Sequence, residues 1–145
     1  MLSPAGLNQA AMRALPLPGA SCFASARGLA RFYAALTSGR LLPLDFLSRV
    51  DANAAAGEFN GQRTRWALGF ELTELTDDAS AARCSALGHA ATGGSIALCV
   101  PSRHVALAVT VSGLSRQPTA TKRILSLLLA ECGLSGSPLE DSPAG

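Results

Sequence analysis

An α+β domain, a partial antiparallel sheet with flanking helices, is predicted by three features of this 145-residue chain. Ile96, Leu98 and Val100 alternate with Ser95, Ala97 and Cys99, and Val105, Leu107, Val109 and Val111 alternate with Ala106, Ala108 and Thr110. A period of two sends neighbouring side chains to opposite faces, as in strands. Leu29, Phe32, Tyr33 and Leu36 recur at i, i+3, i+4 and i+7, and Leu125, Leu128, Leu129 and Cys132 repeat that spacing near the other end. Such stripes mark amphipathic helices. In the strand pair one face carries large aliphatics and the other mostly small residues. Small residues let a helix lie close while branched ones fill a core, so the sheet is expected to be covered on both sides.

Taken in order, residues 1–15 read as an irregular N-terminal segment. Up to Leu44 the chain contains Arg13, Arg27, Arg31 and Arg40 but no acid, and it is rich in alanine and serine, the composition of an organelle transit peptide. The regular stripe over 29–36 argues instead for a domain helix, with Ser25 as its cap and Gly39 as its stop. From Asp45 to about Asn60 a short helix is expected, with Phe46, Leu47 and Val50 on one side, before a polar loop through Gly57, Asn60 and Gly61. Trp66, Leu68, Phe70 and Leu72 alternate with Ala67, Gly69, Glu71 and Thr73, which predicts one half-buried strand. Thr76 to Ser85 reads as a loop tipped by Asp77 and Asp78. His89 to Ser95 is a polar, glycine-rich entry to the strand at Ile96, and Pro101-Ser102-Arg103 turns that strand into the next. Gly113, Leu114 and Ser115 lead to Pro118 and the last helix, whose face Ile124 widens and which Gly133 ends. From Ser135 to Gly145 the chain is small, polar and proline-bearing, and a disordered tail is expected.

Composition limits function more than it selects it. A hydrophobic content of 48% over 145 residues suits one domain with a sizeable core. Charged residues make up only 15%, the net charge is +2 and the mean hydropathy is +0.27, so no nucleic-acid partner is indicated and a hydrophobic face is expected to stay uncovered. Apolar runs break well before the roughly 18 residues of a membrane span. No secretory signal peptide is read at the N-terminus, and the compartment stays open. Cys22, Cys84, Cys99 and Cys132 read as reduced, mostly buried thiols. Cys84 precedes His89 by the same spacing as Cys99 precedes His104, which is zinc-ligand chemistry. Five extended residues span roughly 17 Å, however, whereas ligands of one ion converge to about 2 Å from it, and the geometry argues against a metal.

Gly88, His89, Gly93, Gly94 and Ser95 resemble the Gly-His-x-Gly-x-Gly-Gly-Ser run that opens a site-lining strand in the beta-lactamase-related serine hydrolases, a group that includes class C beta-lactamases, penicillin-binding-protein-like peptidases and esterases. Pro18 to Phe32 with Ser38-Gly39-Arg40-Leu41-Leu42, and Leu68-Gly69-Phe70, resemble further segments of that family in the same order. Ala91 stands where the family usually keeps glycine, and the aspartate usual near Gly28 is absent. The resemblance implies the C-terminal part of a beta-lactamase/transpeptidase-like fold over residues 16–134. It implies acyl-serine cleavage of an amide, lactam or ester without a cofactor. By resemblance His89 walls the acyl pocket, the backbone N–H of Thr92 is one of two oxyanion donors, and Ala91 and Gly93 border the substrate.

The family's nucleophile is the serine of Ser-x-x-Lys, assisted by Tyr-x-Asn or Ser-x-Asn. Neither pattern occurs in this sequence. Lys122, the only lysine, gives Thr119-x-x-Lys, and Tyr33, the only tyrosine, is followed by two alanines and is expected to pack. Ser95 has no histidine or lysine neighbour to activate it and is not nominated as a nucleophile. The reading is therefore a chain that is inactive alone and that would take a small-molecule acyl substrate when completed by an N-terminal half. The alternative is a non-catalytic interaction module that uses its exposed sheet edge, the same edge through which copies would self-associate.

Overall fold

The computed structural model describes residues 4–19, 22–59, 62–115 and 117–139. The N-terminal segment holds two single-turn helices, α1 (Pro4–Leu7) and α2 (Ala10–Arg13). Helix α3 (Ala26–Thr37) begins as expected at Ser25, whose Oγ accepts the Gly28 N–H at 3.1 Å, so one of the unpaired donors of the first turn is satisfied. Gly39, at φ 72, adopts the left-handed conformation just beyond its end. Tyr33 and Leu36 are buried. Phe32 departs from the expected stripe. It is about half exposed and meets Tyr33 edge-on, with ring centroids 5.4 Å apart. Helix α4 (Leu44–Ala52) buries Val50 and half-buries Phe46 and Leu47, as the spacing required.

Among the described residues seven strands follow in one antiparallel sheet: β1 (Ala55–Phe59), β2 (Gln62–Ala67), β3 (Phe70–Asp77), β4 (Arg83–Ala90), β5 (Ile96–Val100), β6 (Val105–Val109) and β7 (Leu134–Ser135). The spatial order is β1-β2-β3-β4-β5-β6, with β7 pairing β3. Several expectations need correction. The helix expected to run on to about Asn60 ends at Ala52, and the loop expected through Gly57 is strand β1, an end strand exposed from Ala55 to Glu58 and held by its ladder to β2 from Ala55↔Trp66 to Phe59↔Gln62 rather than by an apolar face. Asn60 and Gly61, expected in that loop, lie outside the described residues.

The single strand expected across Trp66–Leu72 is two strands joined at Leu68 and Gly69, both at positive φ (48° and 89°). The reversal puts Trp66, opposite Glu71, and Leu72, opposite Arg65, on different faces of the sheet, although the apolar residues of the sequence alternate without a break through the turn, so periodicity could not reveal it. The loop expected over Thr76–Ser85 shrinks to Asp78–Ala82, with Asp77 Oδ1 accepting the N–H groups of Ala79 and Ser80 at 2.9 and 3.1 Å. The tail expected to be disordered begins with β7, where Ser135 pairs Thr76 and Leu134 pairs Asp77. Leu139 packs on the core, and residues 140–145 lie outside the described residues.

The predicted hairpin is present, with Ile96↔Val109 at one end, Val100↔Val105 at the other, and a 3₁₀ turn at Pro101–Arg103 closed by His104 in the left-handed conformation. Its two faces carry two cores. Ile96, Leu98, Val100 and Val109 pack with Leu75, Ala86 and Leu134 against Leu125 and Leu129 of helix α5 (Thr119–Glu131). Ala97 and Cys99 pack with Leu72 and Leu87 against Tyr33 and Leu36 of α3 and Val50 of α4. Each fully buried Leu, Ile or Val contributes roughly 1.5–3 kcal/mol, which makes these two layers the main stabilising term. Ile124 does not widen the buried face of α5; it is 45% exposed. Nor are the cysteines mostly buried: Cys99 is, Cys84 and Cys132 are half-buried, and Cys22 is exposed, all four as free thiols.

Leu68 places a branched chain in a conformation that costs an L-residue roughly 1–2 kcal/mol and that asparagine tolerates well. Its side chain is half exposed, so little packing is lost on replacement. Leu68→Asn is expected to raise the denaturation midpoint, by about 1 kcal/mol of stability, with an unchanged denaturant slope.

Candidate active site

The residues singled out by the sequence lie on one connection, between β4 and β5. Here the structure corrects the setting of His89: the entry expected over His89–Ser95 is shorter, since His89 lies in strand β4 with Gly88, paired as Gly88↔Leu98 and His89↔Ala97, and the turn is confined to Ala91–Ser95. It is closed by Ala91 N–H to Ser95 O at 2.8 Å and Gly94 N–H to Ala91 O at 3.2 Å. Gly93 and Gly94 take φ of 99° and 104°, and each is seated against the segment before α5. A Cβ on Gly93 would come within 2.5 Å of Leu114 Cδ2, and one on Gly94 within 2.7 Å of Pro118 Cβ. Ser115 N–H adds a bond to Gly93 O at 3.0 Å. Ala91 and Thr92 are exposed, and among the described residues nothing accepts from the Thr92 N–H. Ser95 has a tying role: its Oγ accepts the Val111 N–H at 3.1 Å, extending the hairpin beyond β6.

His89 is about half exposed and meets two side chains, one of which also binds its neighbour. Its Nδ1 lies 3.0 Å from Glu71 Oε2 on β3, its ring centroid is 5.5 Å from that of Trp66 on β2, and the same Oε2 accepts the Ala90 N–H at 3.1 Å. Glu71 is the site residue that sequence reading missed. Alternation marked it only as a solvent-side position on a strand, and its partner depends on the register Glu71↔Gly88, which no local pattern encodes. Burial pushes the Glu71 carboxyl up, but the bonds from His89 and Ala90 and the charge of His89 outweigh it and hold the group below the ordinary carboxylate value.

Gly88, beside His89, sets how closely β4 lies to β5. A Cβ there would lie 2.6 Å from Leu98 Cβ and closer still to the Ala97 carbonyl, so β4 approaches β5 more tightly than any other residue would allow.

The remaining candidate groups are unsuited to chemistry. Burial, with the Cys99 and Cys22 thiols and Glu71 nearby, pushes the Tyr33 hydroxyl up to about 12, and burial does the same to the Cys99 thiol. Burial also raises the Cys84 thiol, which donates to Leu75 O. Tyr33 and Lys122 sit on helices that cover opposite faces of the sheet, so they cannot meet at one reacting atom. Among the described residues no three of His, Cys, Asp and Glu gather as metal ligands would, and no helix is long and apolar enough to cross a membrane. Beneath Glu71 and His89 a cavity of about 10 Å³, lined by Thr73, Ala86, Gly88, Ile96, Leu98 and Pro138, has room for about one water molecule. The arrangement is a wall with one imidazole and one backbone donor, open to solvent.

An antiparallel sheet covered by helices, with a Gly-His strand end and a packed Gly-Gly-Ser turn, defines the class. The beta-lactamase family model matches residues 2–131, and the chain belongs to that family of serine-hydrolase-like proteins. No curated protein and no solved structure matches the chain.

Two outcomes follow from this geometry. Gly88→Ala is expected to destabilise the protein by about 1–3 kcal/mol or more in denaturant unfolding, because backbone rather than a flexible side chain must yield. Gly57→Ala on β1, where nothing lies within 4 Å of an added Cβ, is expected to cost little. Glu71 is lowered in the folded state, so its stabilising contribution is complete above its unfolded value and is lost as pH falls through the folded one. Between about pH 5 and pH 3 the wild type is expected to lose stability more steeply than Glu71→Gln, as read from denaturation curves at several pH values.

Proposed function

We propose that this chain forms one wall of an acyl-serine hydrolase acting on a small amide, lactam or ester, and that alone it does not turn over substrate. Residues 16–134 supply the sheet, the closing helix α5, the pocket-wall His89, the substrate-bordering Ala91 and Gly93, and the Thr92 N–H as one oxyanion donor. The attacking serine, that of a Ser-x-x-Lys element, and the Tyr-x-Asn element that assists it come from outside this sequence. The observation that carries the reading is the β4–β5 turn. It holds a backbone N–H with no acceptor among the described residues on a glycine pair locked against Leu114 and Pro118, beside an oriented imidazole. A donor fixed in advance where negative charge develops lowers an acyl-transfer barrier, but a lone donor cannot attack a carbonyl.

A second reading, an interaction module, is favoured by β6, which among the described strands pairs only with β5 and so leaves one side of its backbone for another chain.

The chain itself is expected neither to hydrolyse a chromogenic cephalosporin or nitrophenyl esters nor to be labelled by a fluorophosphonate; stoichiometric labelling of a serine would overturn the reading. In a protein completed with the two missing elements, His89→Ala is expected to lower ester turnover on the order of tenfold to a thousandfold. His104→Ala, at the far end of β5, is expected to cost little. Equal small effects, with folding checked by thermal melts, would remove His89 from the site, and a well-folded completed protein without turnover would favour the interaction module.

A further inference from the structure

The bond between His89 and Glu71 has a direction, and the direction decides what the imidazole can offer. Glu71 Oε2 receives two donors, the Ala90 N–H at 3.1 Å and, at 3.0 Å, whatever His89 Nδ1 presents. An ionised carboxylate has lone pairs and no proton, so a contact of this length requires the proton to sit on Nδ1. The carboxylate is mostly buried, with 21% of its side chain exposed, and the two bonds favour its charged form. Its reach is set by the sheet: Glu71 lies opposite Gly88 in the β3–β4 ladder, one residue from His89 and two from Ala90. Trp66 bounds the ring at 5.5 Å with a 48° tilt. Arg65, next to Trp66 on β2, is directed to Asp51 of α4 at 3.6 Å and not to this carboxylate.

We propose that Glu71 is a positioning residue which, by accepting the Nδ1–H, fixes His89 in the tautomer whose Nε2 carries a lone pair on the far side of the ring. In its neutral form His89 is then a hydrogen-bond acceptor for an N–H or O–H group, backed by a negative charge. A substrate carboxylate would meet a lone pair with a carboxylate behind it, so the wall suits uncharged esters and amides better than acids. The inference deepens the hydrolase reading and rests on His89 belonging to the acyl-binding wall.

The tautomer is measurable on the chain itself, whose only two histidines are His89 and His104, the latter an internal reference. In a long-range proton–nitrogen correlation spectrum of ¹⁵N-labelled protein, recorded well above the usual imidazole range of about 6.5, His89 is expected to show a protonated Nδ1 and an unprotonated Nε2. Glu71→Ala is expected to return it toward the Nε2–H form that unconstrained histidine favours. Glu71→Gln, whose amide oxygen still accepts, is expected to keep the Nδ1–H form, and His104 is expected to be unchanged throughout. A wild-type His89 in the Nε2–H form, or a Glu71→Ala protein that keeps the Nδ1–H form, overturns the proposal. Should Glu71→Ala not fold, the wild-type spectrum still decides. The measurement involves no turnover, so its failure would remove the role of Glu71 and leave the place of His89 in the wall to the histidine substitutions above.

Discussion

Strand β5 is buried on both faces, and the rest of the structure is arranged to keep it so. All five of its residues are at most 7% exposed. Its branched residues face α5 and its small ones face α3, so the difference in side-chain size sets how near each helix can come. A strand covered in this way needs every backbone group paired within the sheet, which β4 and β6 provide along its length. The chain then closes on itself through side chains that join distant segments. Arg103, after β5, pairs with the largely buried Asp77 at the end of β3. Asp51 of α4 accepts from Ser85 of β4 and pairs with Arg65 of β2.

The same burial divides the molecule chemically. Groups that reach the interior, the Tyr33 hydroxyl and the Cys99 thiol, are kept protonated by loss of solvent, whereas polar function gathers where β4 leaves the sheet. There Glu71 is an exception to the usual effect of burial, because two donors meet one oxygen. A histidine at a strand end is common. A histidine tied to a mostly buried carboxylate and bounded by a tryptophan is an oriented group.

Most of this architecture was legible from period and punctuation. The stripes of α3 and α5, the Ser25 cap, the Gly39 and Gly133 stops and the Ile96–Val109 hairpin follow from local rules, and the two-sided cover of the sheet followed from the size alternation of β5. What escaped depends on pairing. Leu68-Gly69 hid a reversal because leucine is a poor signal for that turn and alternation continues through it. Strand β1 escaped because it is held by its ladder rather than by an apolar face. Strand β7 is two residues long, shorter than any periodicity can register. In the candidate site, His89, Ala91, Thr92 and Gly93 are nominated by a family pattern of glycines. Glu71 was not, because 18 residues of sequence separate it from His89 and only the register of β3 on β4 brings them together.

The seating of Gly93 and Gly94 against Leu114 and Pro118 makes the β4–β5 turn and the first turn of α5 one mechanical piece. Thr121, buried on α5, stands 3.5 Å from where a Gly94 Cβ would be, so the contact continues into the helix. Such a turn cannot serve as a hinged flap: swinging it would also disturb the helix start on which the larger core rests. Any molecule that takes the Thr92 N–H must accept the direction in which it already points. The loss of loop freedom that a mobile recognition segment undergoes on capture has, for this turn, already occurred during folding.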